Sequence, residues 1–153
     1  TIAPMVLTLQ VLPDMLKRNR GHICNIASAG GMLGNPKMSV YGASKWAVIG
    51  WSESMRIELQ QKKSNVHVTT VAPYFISTGM FKGVRSIFPI LKPEPTAKKI
   101  IRAIERNTIF AGIPFGYHFI RFWQAILPLR VFDFIFGTVF GIYSTMDHFT
   151  GRK

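Results

Sequence analysis

The 153-residue sequence predicts an α/β fold in which helices alternate with the parallel strands of one sheet. Helical and strand-like hydrophobic patterns alternate along residues 1–113. The strand-like segments are short and apolar or β-branched, as in strands that are buried in a parallel sheet. Hydrophobic residues make up 48% of the chain, which is enough for one domain with its own core.

The elements follow in order from hydrophobic spacing and from Gly and Pro. Apolar residues at helical spacing predict a first helix over residues 2–15, and Pro13 predicts a kink or a break in it. A loop is predicted over residues 28–37, which are rich in Gly and Pro. The other predicted elements are strands over residues 22–27, 65–72 and 108–113 and helices over residues 40–60 and 94–106.

Beyond residue 113 the chain becomes rich in aromatic residues, and Pro114 and Pro128 break the run. Its uncharged stretches are shorter than the roughly 20 apolar residues of a membrane-spanning helix. We expect two short helices that lie in a membrane interface. A hydrophobic cap over a substrate pocket and an oligomer contact are the open alternatives. The expected division is therefore residues 1–113 and a hydrophobic tail over residues 114–153.

Composition excludes several classes of function. The net charge of +12 is spread over helix ends and faces rather than along a basic stripe, so we expect no nucleic-acid binding. An anionic membrane surface or an anionic cofactor accounts for the charge equally well. Cys24 is the single cysteine and the four histidines are isolated in sequence, so neither an internal disulfide nor a metal site is expected.

Three polar residues suggest a proton-transfer site. Tyr41 and Lys45 are one helical turn apart and share a helix face, and Ser28 follows a predicted strand. A lysine ammonium near a tyrosine favours the phenolate form, which lets the phenol exchange a proton with an alcohol or a developing alkoxide. A serine hydroxyl can hold the same oxygen in place by a hydrogen bond. These are the proton-transfer groups of a carbonyl–alcohol redox step, and the hydride needs a cofactor.

These residues and their spacing resemble the classical short-chain dehydrogenase/reductase family. Residues 25–30 resemble the family's strand that carries the catalytic serine, and residues 41–45 match its Tyr-x-x-x-Lys motif with the common Ala-Ser-Lys ending. Residues 73–78 stand where the family has Pro-Gly-x-x-x-Thr, with Tyr74 in place of the glycine. The resemblance implies the C-terminal half of a Rossmann-type doubly wound parallel sheet, followed by a hydrophobic helical extension.

The resemblance also implies a role for each site residue. Tyr41 is the general acid/base and also contacts the cofactor, and Ser28 orients the substrate oxygen. Lys45 binds the nicotinamide ribose and favours the phenolate. The loop that begins at Pro73 holds the carboxamide through Thr78 and the Ile76 backbone. The implied cofactor is NAD or NADP.

Three further stretches, residues 78–83, 91–94 and 146–152, resemble the retinol and 17β-hydroxysteroid dehydrogenase branch. That branch implies a lipophilic alcohol or ketone as substrate. It also implies association with a membrane, at the endoplasmic reticulum or a lipid droplet in a eukaryote; the alternative is a cytoplasmic protein.

The Gly-rich phosphate loop of the family and its asparagine before the serine strand have no counterpart in the sequence. We therefore expect a C-terminal portion of a longer enzyme, whose first strand presents an unpaired edge. One alternative is a truncated, non-catalytic module that binds membranes or dimerises, and another is an epimerase or dehydratase of the extended branch. Small residues along the 40–60 helix suggest a homodimer contact, unless they pack against the chain's own sheet.

Overall fold

The structure is a computed structural model that describes residues 1–151. Arg152 and Lys153 end the predicted tail, and Arg152 also ends the 146–152 stretch, so these parts of both predictions lie outside the described residues. Three parallel strands form one sheet in the order β1-β2-β3, which confirms the predicted fold class. The strands span Gly21–Ile26 (β1), Val66–Pro73 (β2) and Phe110–Ile113 (β3).

The helices that precede and connect the strands span Ile2–Lys17 (α1), Ser39–Gln61 (α2) and Pro93–Glu105 (α3). Helix α1 continues through Pro13, so the predicted break is wrong. The other predicted helices and strands are all present. Their ends differ from the expected ones by at most two residues, as is usual at fraying ends.

The tail consists of short helical pieces. They are helices α4 (Ile120–Ile126) and α5 (Leu129–Phe132), 3₁₀ turns at Phe115–Phe119 and Ile142–Ser144, and a π-helical segment at Asp133–Val139. Among the described residues, no helix combines the length and the apolar character needed to cross a bilayer.

Two local features hold β1 and the loop after it against helix α2. A side chain at Gly31 would lie 2.7 Å from the Lys45 backbone, so only glycine permits this close approach. The buried Asn25 amide donates a 2.8 Å hydrogen bond to the Ser52 hydroxyl on α2, which itself donates to the Val48 carbonyl. Strand β1 and helix α2 are thereby joined by a satisfied buried polar pair.

The tail packs onto the sheet domain and shares its core. Tyr117, Ile120, Phe132 and Ile142 are buried in one cluster with residues of the loop after β1 and of α2, including Leu33. Burial of this apolar surface is the main force that holds the tail in place. The tail therefore forms a wall beside the C-terminal ends of β1 and β2.

Polar contacts also attach the end of the tail to the loops that follow β1 and β2. The Thr150 amide donates to the Lys82 carbonyl at 3.0 Å, and the Arg85 amide donates to the Thr145 carbonyl at 3.1 Å. Lys37 and Asp147 form an exposed ion pair at 2.9 Å. Residues 145–150 thus bridge two loops, one after β1 and one after β2.

The other side of the sheet ends at β1. Within residues 1–151, β1 pairs only with β2, so its second edge has no strand partner among these residues. Ile26 at the end of this strand is about half exposed.

Candidate active site

The C-terminal ends of β1 and β2 open into a cavity of about 270 Å³, which we call the catalytic cavity because the residues predicted to be catalytic line it. Ligands of parallel α/β sheets commonly bind at this edge. All the site residues predicted from the sequence line it, namely Ser28, Tyr41, Lys45, Pro73, Ile76 and Thr78. The structure therefore brings together residues that lie up to 50 positions apart in the chain.

Ser28 begins the turn that follows β1. Its extended backbone (φ −168°, ψ 157°) places the side chain so that Oγ accepts a 3.1 Å hydrogen bond from the Gly30 amide. Because Oγ is the acceptor in that bond, the hydroxyl keeps its own proton for donation to a substrate oxygen. A methyl group at Gly30 would lie 3.3 Å from Tyr41 Cε1 and 3.6 Å from Ser28 Oγ. The turn therefore lies between Ser28 and Tyr41, within contact distance of both.

Tyr41 and Lys45 lie on consecutive turns of helix α2. The Lys45 ammonium nitrogen is 5.7 Å from the centre of the Tyr41 ring and donates a 3.1 Å hydrogen bond to the Ile26 carbonyl. That carbonyl belongs to the last residue of β1, so the strand end positions the ammonium group. Partial burial lowers the Lys45 pKa because it removes water that stabilises the charge.

The loop after β2 is held by backbone pairing. The Tyr74 amide donates to the Ile113 carbonyl at 2.8 Å, so pairing with β3 continues one residue past Pro73 in spite of the tyrosine. Ile76 then forms a parallel bridge with Leu91, and the Thr78 amide donates to the Ile76 carbonyl at 2.8 Å. The bridge and the short turn hold Ile76 and Thr78 at the cavity.

The sequence did not single out the aromatic and apolar walls of the cavity. Tyr74 contacts Tyr117 with ring centres 5.3 Å apart, and its hydroxyl shares a 2.7 Å hydrogen bond with Ser86. Burial raises the pKa of both phenols, so each stays neutral near pH 7. Phe81 packs edge-to-face on Tyr41 at 5.9 Å, and Ile142 of the tail also lines the cavity.

Only Tyr74 carried a signal in the sequence, because it replaces the usual glycine. Tyr117 and Ile142 lie in a part of the tail that carries no motif, and they reach the cavity through long-range packing. The assembled arrangement is an apolar cavity with a phenol, an ammonium and a hydroxyl, which suits proton transfer to or from the oxygen of an apolar substrate.

Comparison with known proteins gives a family match. The family model described as "short chain dehydrogenase" matches residues 1–87. Epidermal retinol dehydrogenase 2 of Mus musculus is 38% identical over 147 residues, which cover 93% of this chain and 47% of the relative. Retinol dehydrogenase 10-A of Danio rerio is 36% identical over 80% of this chain and 38% of its own. The chain thus spans about half the length of the curated relatives it matches.

Solved structures agree with the fold. A short-chain dehydrogenase from Sphingobium yanoikuyae, in complex with NADPH, superposes with a TM-score of 0.69 at 24% identity, over 82% of this chain and 49% of that one. A 4-hydroxyisoleucine dehydrogenase in complex with NADH superposes with a TM-score of 0.60 at 27% identity, over 73% and 53% of the two chains. The described sheet therefore corresponds to about half of a complete Rossmann-type domain of this kind.

Proposed function

Because this chain belongs to the short-chain dehydrogenase family, we propose that it carries the proton-transfer site of an NAD(P)-dependent oxidoreductase acting on a lipophilic alcohol or its carbonyl form. One observation carries the proposal. Ser28, Tyr41 and Lys45 meet at a single cavity whose other walls are largely aromatic and aliphatic. The two relatives described above are both named retinol dehydrogenases, which favours this function over the epimerase or dehydratase alternative.

In this proposal each polar group has a distinct task. In the reducing direction Tyr41 donates its proton to the carbonyl oxygen, and in the oxidising direction the phenolate takes it from the alcohol. Ser28 donates a hydrogen bond to the same oxygen and keeps it near the phenol. Lys45 stabilises the phenolate by its positive charge.

The lining residues fit the nicotinamide end of NAD or NADP. Lys45 and Thr78 contribute polar groups to the cavity, Pro73 ends β2, and Ile76 lies on the paired loop that follows. When bound, the cofactor supplies or accepts the hydride. We assign Lys45 to the ribose, and Thr78 with the Ile76 backbone to the carboxamide.

The decisive experiment is Tyr41→Phe in the full-length protein. Removing the exchangeable proton is expected to lower kcat by about 10²- to 10⁴-fold, while the Kd of NAD(H) or NADP(H), measured by fluorescence, stays within about twofold. Turnover retained by Tyr41→Phe would exclude this residue as the acid/base. Tight dinucleotide binding by residues 1–153 alone would argue against a non-catalytic module.

The tail has two surfaces that suggest two roles. Its buried residues, such as Tyr117 and Ile142, close the catalytic cavity, which supports a substrate cap. Its outer surface exposes large apolar side chains, which supports docking on a lipid surface. These exposed residues include Phe115, Phe119, Phe122, Leu129 and Phe134.

We therefore propose residues 1–113 as the catalytic part and residues 114–153 as a cap that also docks on a membrane, at the endoplasmic reticulum or a lipid droplet in a eukaryotic cell. Sedimentation with anionic lipid vesicles tests the docking. Protein that stays in the supernatant at low salt would contradict it.

Helix α2 also supports a homodimer. Its small-residue stripe is exposed in the structure, whereas Met55 and Leu59 of the same helix are buried against the sheet, so the stripe does not pack on the chain's own sheet. The stripe consists of Ala43, Ala47, Gly50 and Ser54. Light scattering tests this proposal, and a monomeric mass at micromolar concentration would contradict it.

A further inference from the structure

A second hollow lies on the far side of one wall of the catalytic cavity. This outer pocket has a volume of about 290 Å³ and lies between helix α2, the loop after β1 and the tail. Its lining is mostly apolar and includes Leu33, Trp46, Leu129, Phe132, Phe136 and Ile142.

The two hollows share a wall. Leu33 and Ile142 line both of them, and each side chain is less than 10% exposed (7% and 6%). A smaller hollow of about 140 Å³ runs beside this wall. It shares Asn35 and Met38 with the catalytic cavity, and Gly34 and Trp46 with the outer pocket. The two pockets therefore meet at two aliphatic side chains, with the smaller hollow beside them.

The catalytic cavity is too small to hold both the nicotinamide end of a cofactor and a whole lipophilic substrate. Sites for small organic ligands usually measure about 300–1,000 Å³, and the catalytic cavity lies just below that range. In the proposed function it also receives the nicotinamide end of the cofactor. The part of a lipophilic substrate beyond its reacting carbon then needs a second apolar space, and the outer pocket about doubles the available volume.

We propose that the outer pocket binds the distal end of a substrate with a long aliphatic chain, and that Leu33 and Ile142 form the gate through which the chain passes. The inference rests on the proposed function and specifies its substrate class as an alcohol or aldehyde whose chain outreaches the catalytic cavity. Each methylene group buried beyond the gate contributes about fourfold in affinity. Chain-length preference therefore arises at the gate, away from the reacting groups.

Gly34 offers a way to fill the outer pocket without touching the catalytic residues. A Cβ at Gly34 would meet no atom within 4 Å, and its φ lies outside the left-handed region, so Gly34→Leu places a side chain in free space. Gly116 is equally open but lines none of these hollows, which makes Gly116→Leu the matched control.

The first measurement is kcat/KM of the full-length protein for hexanol and dodecanol. Gly34→Leu is expected to lower the value for dodecanol at least tenfold and that for hexanol by no more than about twofold, whereas Gly116→Leu changes neither. An equal loss for both alcohols, or no loss for either, would overturn the inference.

The second measurement requires no turnover. In a background where Trp51 and Trp123 are replaced by Phe, a dodecanol brominated at its far end is expected to quench the fluorescence of Trp46, and Gly34→Leu is expected to abolish the quenching. Quenching that is absent, or unchanged in Gly34→Leu, overturns the inference whatever the activity. Quenching as expected in a protein that keeps full turnover after Tyr41→Phe would instead reject the proposed acid/base and leave the outer pocket in place.

Discussion

The floor and the wall of the catalytic cavity are built in different ways. The floor carries Ser28, Tyr41 and Lys45 on a strand end and one helix, within 18 consecutive residues. The wall contains Tyr117 and Ile142, which come from the tail and reach the cavity by packing on the sheet domain. In the proposed function, the chemistry is thus encoded in a short segment, and substrate fit is encoded in contacts between distant segments. Substitutions in the floor should change rate more than stability, and substitutions that loosen the wall should do the reverse.

After Tyr41→Phe, the largest expected effect is that of Ser28→Ala in the floor. Loss of a hydrogen bond to the reacting oxygen is expected to lower kcat about 10²- to 10³-fold in the full-length protein. The free energy of unfolding should fall by only about 1 kcal/mol, because Gly30 loses one hydrogen-bond acceptor. Steady-state kinetics and urea denaturation measure the two effects.

Ser44→Ala is the matched control for this experiment. Ser44 lies inside the Tyr-x-x-x-Lys motif, between Tyr41 and Lys45. Its hydroxyl donates to the Tyr41 carbonyl, and the residue does not line the cavity. Its kcat should stay within about threefold of the wild type, since a part-buried hydrogen bond within the helix does not touch the reacting oxygen. A loss as large in Ser44→Ala as in Ser28→Ala would show that the motif acts through folding alone.

The same contrast explains how much the sequence could predict. Alternating elements and their ends followed from hydrophobic periods and Gly–Pro loops, because these signals act over a few residues. Ser28, Tyr41 and Lys45 were predictable because their spacing places them at one strand end and on one helix face. Tyr117 could not be assigned to the cavity, because its position depends on the course of the tail over the loop after β1. The continuation of α1 through Pro13 likewise depends on packing of Met15 and Leu16 against the sheet.

The second effect concerns the wall and should appear in stability. Gly83 has φ +87°, and a methyl group there would collide with the carbonyl of His148 in the tail. Gly83→Ala therefore combines left-handed backbone strain with displacement of the tail end, and is expected to lower the free energy of unfolding by about 3 kcal/mol. Chemical denaturation followed by far-UV circular dichroism gives the value.

Gly79→Ala separates these two causes. Gly79 has nearly the same φ, +84°, but a methyl group there would meet no atom within 4 Å. Backbone strain alone should cost about 1 kcal/mol. If the two variants lose the same stability, contact with the tail contributes nothing at Gly83, and the wall is held by the buried cluster of Tyr117, Ile120 and Phe132 alone.

The smallest effect should come from Asp147→Asn, which removes the exposed ion pair between the tail and Lys37. Both side chains are more than half exposed (58% and 52%), so water and salt screen the attraction and ordering two long side chains offsets it. The loss of unfolding free energy should be below about 0.5 kcal/mol and should vanish in 1 M salt, a condition under which charges are screened within about 3 Å.

The uncharged neighbours support this expectation, because the 2.9 Å hydrogen bond between Asn35 and Thr145 and the buried Met146 hold the same segment. A loss above about 1 kcal/mol that persists in high salt would mean that charge holds the tail end. The wall, like the floor, would then depend on a few individual side chains rather than on packing.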